Sequence, residues 1–288
     1  MEKNQQSFCN PNSQIQLLKI VLNYIVHLNF VIAISAGVLA SGIANVLILE
    51  NYLEYGLFSF FSTLSVYNGQ RVVKTNSEIK SPWLKWVAER IKFLSALSII
   101  SGLIGGHFFI RLLNDVTSII ILPIGAAAII SLYYVVGIKG RNLRELPHLK
   151  IHSIAFTWTV IVVVFPILNE KLCNWQIFKF FIPAHYIYFV AVAIPFDIRD
   201  LKYDSPSQRT IPQVVGVRGA KMISIVLLIL VCLVIGSIPS LSLLTPLFIL
   251  AILTQIIFIA FSASKQDFYY SILIDGAIAM LGMSYLLR

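Results

Sequence analysis

The sequence predicts an all-α protein, a polytopic membrane bundle of nine transmembrane helices. Hydrophobic residues make up 58% of its 288 positions and charged residues only 12%, about half the charged share usual in soluble domains. The apolar residues gather into runs near the roughly 20 residues that cross a hydrocarbon core. These runs are continuous rather than alternating, which fits helices and not barrel strands.

In chain order, residues 1–16 form a polar N-terminal segment, and residues 17–288 form a single nine-helix transmembrane domain. The first segment lacks the small-residue cleavage site of a signal peptide, so insertion is expected to use the first helix uncleaved. That helix lies within Leu17 to Leu49 and carries Asn23, His27, Asn29 and Asn45 along an otherwise apolar run. The second, Leu53 to Val73, leaves the membrane near Tyr67, a residue type common at interfaces. Phe93 to Leu113, Ile119 to Val136 and Ile151 to Leu168 supply the third to fifth, and Phe178 to Pro195 the sixth. Met222 to Ile238, Leu244 to Phe261 and Phe268 to Leu287 complete the set. The loops between them are too short for a separate soluble domain. Cys9, Cys173 and Cys232 stand alone without CxxC spacing, which points to neither a disulfide framework nor a zinc site.

Orientation follows from Lys and Arg, which accumulate in cytoplasmic loops. An N-terminus placed inside puts 18 of the 22 on the cytoplasmic side, leaving only Arg111, Lys171, Lys179 and Arg288 outside. The expected location is therefore integral and multi-pass in a bacterial-type inner (cell) membrane, with the N-terminus cytoplasmic and the C-terminus outside. The net charge of +9 reads as a topology signal with some capacity to attract anionic substrates or headgroups. It does not read as nucleic-acid binding, because no basic-aromatic module accompanies it.

Directly after the sixth run comes Ile194-Pro-Phe-Asp-Ile-Arg-Asp-Leu-Lys-Tyr-Asp204. Asp197, Asp200 and Asp204, at spacings i, i+3 and i+7, fall within about 60° on one helical face. Three of only 13 acidic residues on one face at a membrane exit suit a hard cation that prefers oxygen ligands, with Mg²⁺ and an anionic ligand behind it as the expected occupants. Taken alone, the stretch also reads as a solvated, self-paired charge run. Arg209-Thr-Ile-Pro-Gln-Val-Val-Gly216 follows it. The second run leaves the membrane through Ser65-Val-Tyr-Asn-Gly-Gln-Arg-Val-Val-Lys-Thr-Asn76, the equivalent point of the earlier loop.

With nine helices and polar motifs after the second and sixth, the chain resembles the UbiA-type superfamily of intramembrane prenyltransferases. The DxxDxxxD pattern at Asp197, Asp200 and Asp204 and the trailing basic-Thr-Ile-Pro segment carry the resemblance most specifically. Leu146-Pro-His-Leu-Lys150 and Trp158 add weaker similarity. The first motif departs from the family: Asn68 keeps its place, while Gly69, Val72 and Asn76 stand where acids are expected and Arg71 and Lys74 lie nearby.

The resemblance implies a UbiA-prenyltransferase-like fold and transfer of a prenyl group from an isoprenoid diphosphate to an unidentified acceptor at the cytoplasmic face. Asp197, Asp200 and Asp204 would hold Mg²⁺ and serve catalysis, while Asn68, Arg71, Lys74 and Arg209 would contact diphosphate. Loss of the acids in the first motif keeps open an alternative, a non-catalytic prenyl-diphosphate or lipid-binding membrane protein on the same fold. Arg71 and Lys74 also have a reading as topology residues alone. A small-solute transporter fits less well, because nine helices do not divide into two equal repeats. The partners expected are an isoprenoid diphosphate, its acceptor and the lipid bilayer, with no nucleic acid.

Among polar residues at membrane depth, Asp275 stands out, since an ionisable group inside a span usually faces a partner or cavity. His107 and His185 read as satisfied structural histidines. His148 and His152 have helical metal-pair spacing but lack the intervening Glu of an HExxH zinc motif.

Overall fold

The computed structural model describes residue 14 and residues 21–75, 82–113, 118–136, 146–172, 174–238, 241, 243–262 and 267–288. Asn76, Cys9, Cys173, Lys139, Arg141 and Arg144 lie outside the described residues, as does the polar segment 1–16 apart from residue 14. The described residues form helices joined by short turns, with no strand among them. We number the helices α1 Val21–His27, α2 Phe30–Val46, α3 Tyr52–Lys74, α4 Pro82–Glu89, α5 Ile91–Leu112 and α6 Ser118–Val136. They continue as α7 Leu149–Asn169, α8 Ile177–Asp200, α9 Ile211–Gly236, α10 Pro246–Ala260 and α11 Tyr269–Leu286.

Within the described residues each apolar run read from the sequence is helical over most of its length, but not all nine expected spans are reached there. Among the described residues, five helices, α5, α7, α8, α9 and α11, are long and apolar enough to cross a membrane, and α1 with α2 makes a sixth if the bent pair is one span. The chain is thus an integral membrane protein by the length and composition of these helices. The others fall short for separate reasons. α10 has 15 residues, about 22 Å of helix against roughly 30 Å of hydrocarbon. α3 is long enough but carries Glu54, Asn68, Gln70, Arg71 and Lys74.

Contacts between neighbours run α5, α3, α2, α11, α10, α9, α8, α7, α6 and return to α3, so the helices close into a ring. Small residues let α2 and α11 approach at the backbone. A Cβ on Gly282 would lie 2.6 Å from the backbone of Leu39, and one on Gly42 would meet the carbonyl of Gly282. Small-residue contacts of this kind are how helices associate in lipid, where apolar burial drives little.

Three breaks in the helices shape the end of the ring that carries the polar motifs. α1 and α2 meet at 63°, because Asn29 between them is left-handed with φ 60°. Pro195 sits inside α8 and has no N–H to give the carbonyl of Ala191, four residues earlier. The Ser224 hydroxyl of α9 donates to that carbonyl at 2.7 Å instead, as buried backbone in a membrane requires. In α9, Gly216 takes φ 75°, a left-handed value open to glycine at little cost.

Candidate functional site

At this end of the ring lies a cavity of about 640 Å³, within the size range of small-molecule sites. Residues of α2, α3, α4, α6, α7, α8 and α11 line it. Ile32, Ile130, Ile154, Trp158, Phe189 and Ile278 give it apolar walls. Its charged groups come from both polar motifs: Arg71 and Lys74 from α3, and Asp197, Arg199, Asp200 and Asp204 from the end of α8. Lys150, Asp267 and Asp275 complete them.

The acidic side is built by the end of α8. The helix stops at Asp200 rather than running through Asp204. The N–H groups of Tyr203 and Asp204 donate to the Asp200 carbonyl at 2.8 and 2.9 Å, a return turn that folds Asp204 back beside the helix end. Gln213 pins the loop to α9, its Oε1 accepting from the Thr210 N–H at 2.9 Å and its Nε2 donating to the Ser205 carbonyl at 3.1 Å. The trailing Arg-Thr-Ile-Pro segment therefore works in the fold as a helix start and an anchor. Its first residue, Arg209, is exposed and left-handed at φ 45°. Arg209, expected to contact diphosphate, is not among the residues that line the cavity.

The three aspartates do converge on one point, and that point holds the Lys150 ammonium. Its Nζ lies 2.8 Å from Asp197, 3.5 Å from Asp200 and 2.5 Å from Asp204. Lys150 reaches there because α7 starts beside the acidic loop. His148, left-handed at φ 62°, donates its N–H to the Gln208 carbonyl at 3.0 Å, which sets the first turn of α7 against the carboxylates. Beyond the trio, Arg199 Nε donates to Asp200 at 2.9 Å and lies 3.9 Å from Asp267, with its guanidinium near the rings of Phe196 and Tyr270.

This arrangement does not fit Mg²⁺. That ion demands near-octahedral oxygen ligands at roughly 2.0–2.1 Å, whereas the lone pairs facing the centre of the trio here are engaged by an ammonium. Among the described residues, no group of three His, Cys, Asp or Glu side chains is disposed to hold a metal ion. Asp197, Asp200 and Asp204, expected as metal ligands, instead surround a lysine ammonium in this structure.

On the α3 side, Arg71 and Lys74 line the cavity, and the Arg71 guanidinium stacks 3.7 Å from the centre of the Trp83 ring. Asn68 does not join them. It is fully buried, and its amide nitrogen donates to the carbonyls of Leu28 at 3.0 Å and Leu64 at 2.8 Å. Its oxygen accepts from Asn29 at 3.1 Å. Asn68, expected to contact diphosphate, instead ties α3 to the break between α1 and α2.

Gly69 has a packing reason as well. A Cβ there would come within 2.9 Å of the Ser98 Oγ on α5, and Ser98 and Ser65 each donate to the other's carbonyl at 2.8 Å. An acid at this position would point at α5 rather than into the cavity. Gly69→Ala is expected to destabilise the protein by about 1–2 kcal/mol by displacing the Ser98 hydroxyl from its hydrogen bond, read as a lower melting temperature in detergent with ligand affinity unchanged.

Asp275 lines the cavity at 7% exposure, in line with the rule that an intramembrane acid faces a partner or cavity. His185 is structural, with one ring nitrogen on the Phe181 carbonyl and the other on the Tyr285 hydroxyl. His148 and His152 do not act as a pair, since His152 Nδ1 meets the Tyr186 hydroxyl at 2.7 Å. Arg199 and Asp267 as cavity groups, and Lys150 at the centre of the trio, were missed as site residues. The signal available was a lone Lys one residue into an apolar helix. No family model, curated protein or solved structure matches the chain.

Proposed function

We propose that the cavity takes an isoprenoid diphosphate and that the protein is a UbiA-like prenyltransferase, moving the prenyl group to an acceptor at the cytoplasmic face of a nine-span bundle. The observation that carries this reading is the joining of Arg71 and Lys74 to the Asp197 motif in one cavity with apolar walls. Such a space suits a ligand with an anionic head and a hydrocarbon tail. Arg71 offers a planar fork matched to phosphate oxygens, and its stacking on Trp83 holds that fork in place.

In the proposed reaction the allylic C–O bond breaks and the diphosphate leaves with the bonding pair. The acceptor's electron pair then closes on the allylic carbon, and the acceptor gives up a proton. Arg71 and Lys74 meet the charge that grows on the leaving group, the kind of electrostatic stabilisation that carries much of enzymatic rate enhancement. Walls such as Phe189, Trp158 and Ile278 exclude water that would quench the cation. No step is assigned to Mg²⁺.

Lys150 in the carboxylate trio supports a second reading, a non-catalytic protein that binds prenyl diphosphate or another anionic lipid on the same architecture. One experiment separates the two. Purified protein in detergent is given labelled farnesyl or geranylgeranyl diphosphate with pooled aromatic and glycerol-phosphate acceptors, with and without EDTA. Prenylated product is the expected result for a transferase. Saturable binding without product establishes the second reading, and absence of binding overturns both.

A further inference from the structure

We propose that Lys150 is the resident cation of the Asp197, Asp200 and Asp204 site, an ammonium held where a divalent ion would otherwise be chelated, and that the protein engages its anionic ligand without metal. The first support is stoichiometric. An ammonium has three N–H donors and no acceptor, and three carboxylates surround this one at 2.8, 3.5 and 2.5 Å. The Lys150 side chain is 5% exposed, and those of Asp197 and Asp204 are 5% and 1% exposed. A charge buried this deeply persists only when paired and hydrogen-bonded.

The second support is the placement of the charges on their helices. Helix N-termini favour anions and C-termini favour cations. Lys150 lies in the first turn of α7, the wrong end for a cation, and Asp197 and Asp200 lie in the last turn of α8, the wrong end for anions. Each charge is unfavourable on its own helix, and the two sets offset each other only by meeting. The hydrogen bond from His148 N–H to the Gln208 carbonyl makes them meet, by fixing the start of α7 to the loop that carries Asp204.

A divalent ion entering this site would have to displace the ammonium or sit against it. Arg199, bonded to Asp200, adds a second positive charge to the same wall. The trio is therefore already supplied with cations, and an anionic headgroup next to it meets less repulsion than three bare carboxylates would impose. The inference concerns the resident cation and holds whichever anionic lipid the cavity accepts.

Manganese(II) binding followed by electron paramagnetic resonance tests it on the full-length protein in detergent. The wild type is expected to show no saturable Mn²⁺ site up to about millimolar concentration. Lys150→Met, which keeps the apolar stem and removes the charge, is expected to gain one site at least tenfold tighter, and Lys150→Met with Asp197→Asn is expected to lose it again. A wild-type site of equal affinity to that of Lys150→Met overturns the proposal, as does a folded Lys150→Met that gains no site. Where Lys150→Met does not fold, the wild type decides alone: a saturable Mn²⁺ site that Asp200→Asn abolishes overturns the proposal, and its absence supports it. Farnesyl diphosphate binding measured in EDTA on the same samples judges the proposed ligand separately, since its failure leaves the Mn²⁺ result intact.

Discussion

Asn68→Asp lowers the melting temperature of the purified protein by about 6–12 °C. The substitution keeps the shape and removes both N–H donors, leaving the carbonyls of Leu28 and Leu64 facing an oxygen instead. The Leu64 carbonyl keeps the N–H of its own helix, but the Leu28 carbonyl is a buried acceptor without its donor, which costs about 1–3 kcal/mol. With two oxygens brought face to face the change comes to roughly 3 kcal/mol, and each kcal/mol moves the midpoint of a chain of comparable size by about 2–4 °C. The carbonyl of Leu28 lies at the break between α1 and α2, where Asn29 is left-handed, so the loss is felt where α3 holds α1 in place. A thermal melt of wild type and variant in the same detergent checks this. A ligand-binding Asn68 would behave in the opposite way, with an unchanged melt and an altered affinity for diphosphate. A shift below about 2 °C overturns the structural assignment.

Asn68 also shows why the fold was easier to read in the sequence than the site. Apolar runs report helices directly, because the bilayer and the closed ring impose one requirement on every position along them. Each run from Leu53 to Leu287 accordingly coincides with a helix. Span count was less legible. It depends on how long and how apolar each helix stays, and the polar residues of α3 and the 15 residues of α10 are read differently once lengths are fixed by actual breaks.

Motif spacing put the three aspartates on one helical face, whereas the helix ends at Asp200 and a turn brings Asp204 back to the same point, and spacing carried no information about what fills the space between them. Lys150 is 47 residues from Asp197 in the chain, and it comes there through the packing of Ile151 against Ile194 and Ile198 and the hydrogen bond from His148 to Gln208. The same limit applies to Arg209 and Asn68. Both stand at the right offsets for ligand contact, yet one points to solvent and the other spends its amide on backbone carbonyls. Asp275 was legible for the converse reason: the cost of an intramembrane carboxylate is a property of its position alone.

Removing the two cations of α3 has the largest effect on ligand affinity. Arg71→Ala combined with Lys74→Ala is expected to weaken farnesyl diphosphate binding by about 100-fold or more. Hydrogen bonds to charged groups contribute about 1.5–3 kcal/mol each, and two of them lost amount to at least two tenfold steps of about 1.4 kcal/mol. Arg71→Ala alone carries the greater share, because the guanidinium fork engages two phosphate oxygens at once and an ammonium engages them as a point charge. Arg71→Lys therefore restores only part of the loss. Trp83→Leu keeps an apolar wall but removes the ring stacked 3.7 Å from the guanidinium, and it is expected to weaken binding by about three- to tenfold, since a stacked cation gains roughly 1 kcal/mol from such a ring. Equilibrium binding of a fluorescent farnesyl diphosphate analogue in EDTA measures all four variants, with melting temperatures recorded in parallel. If Arg71 and Lys74 only set topology, affinity in correctly inserted protein stays at the wild-type value and the ligand assignment of this wall fails. If affinity falls in the double variant and wild-type binding is indifferent to EDTA, the head of the ligand is held by side-chain cations, as the cavity's chemistry requires.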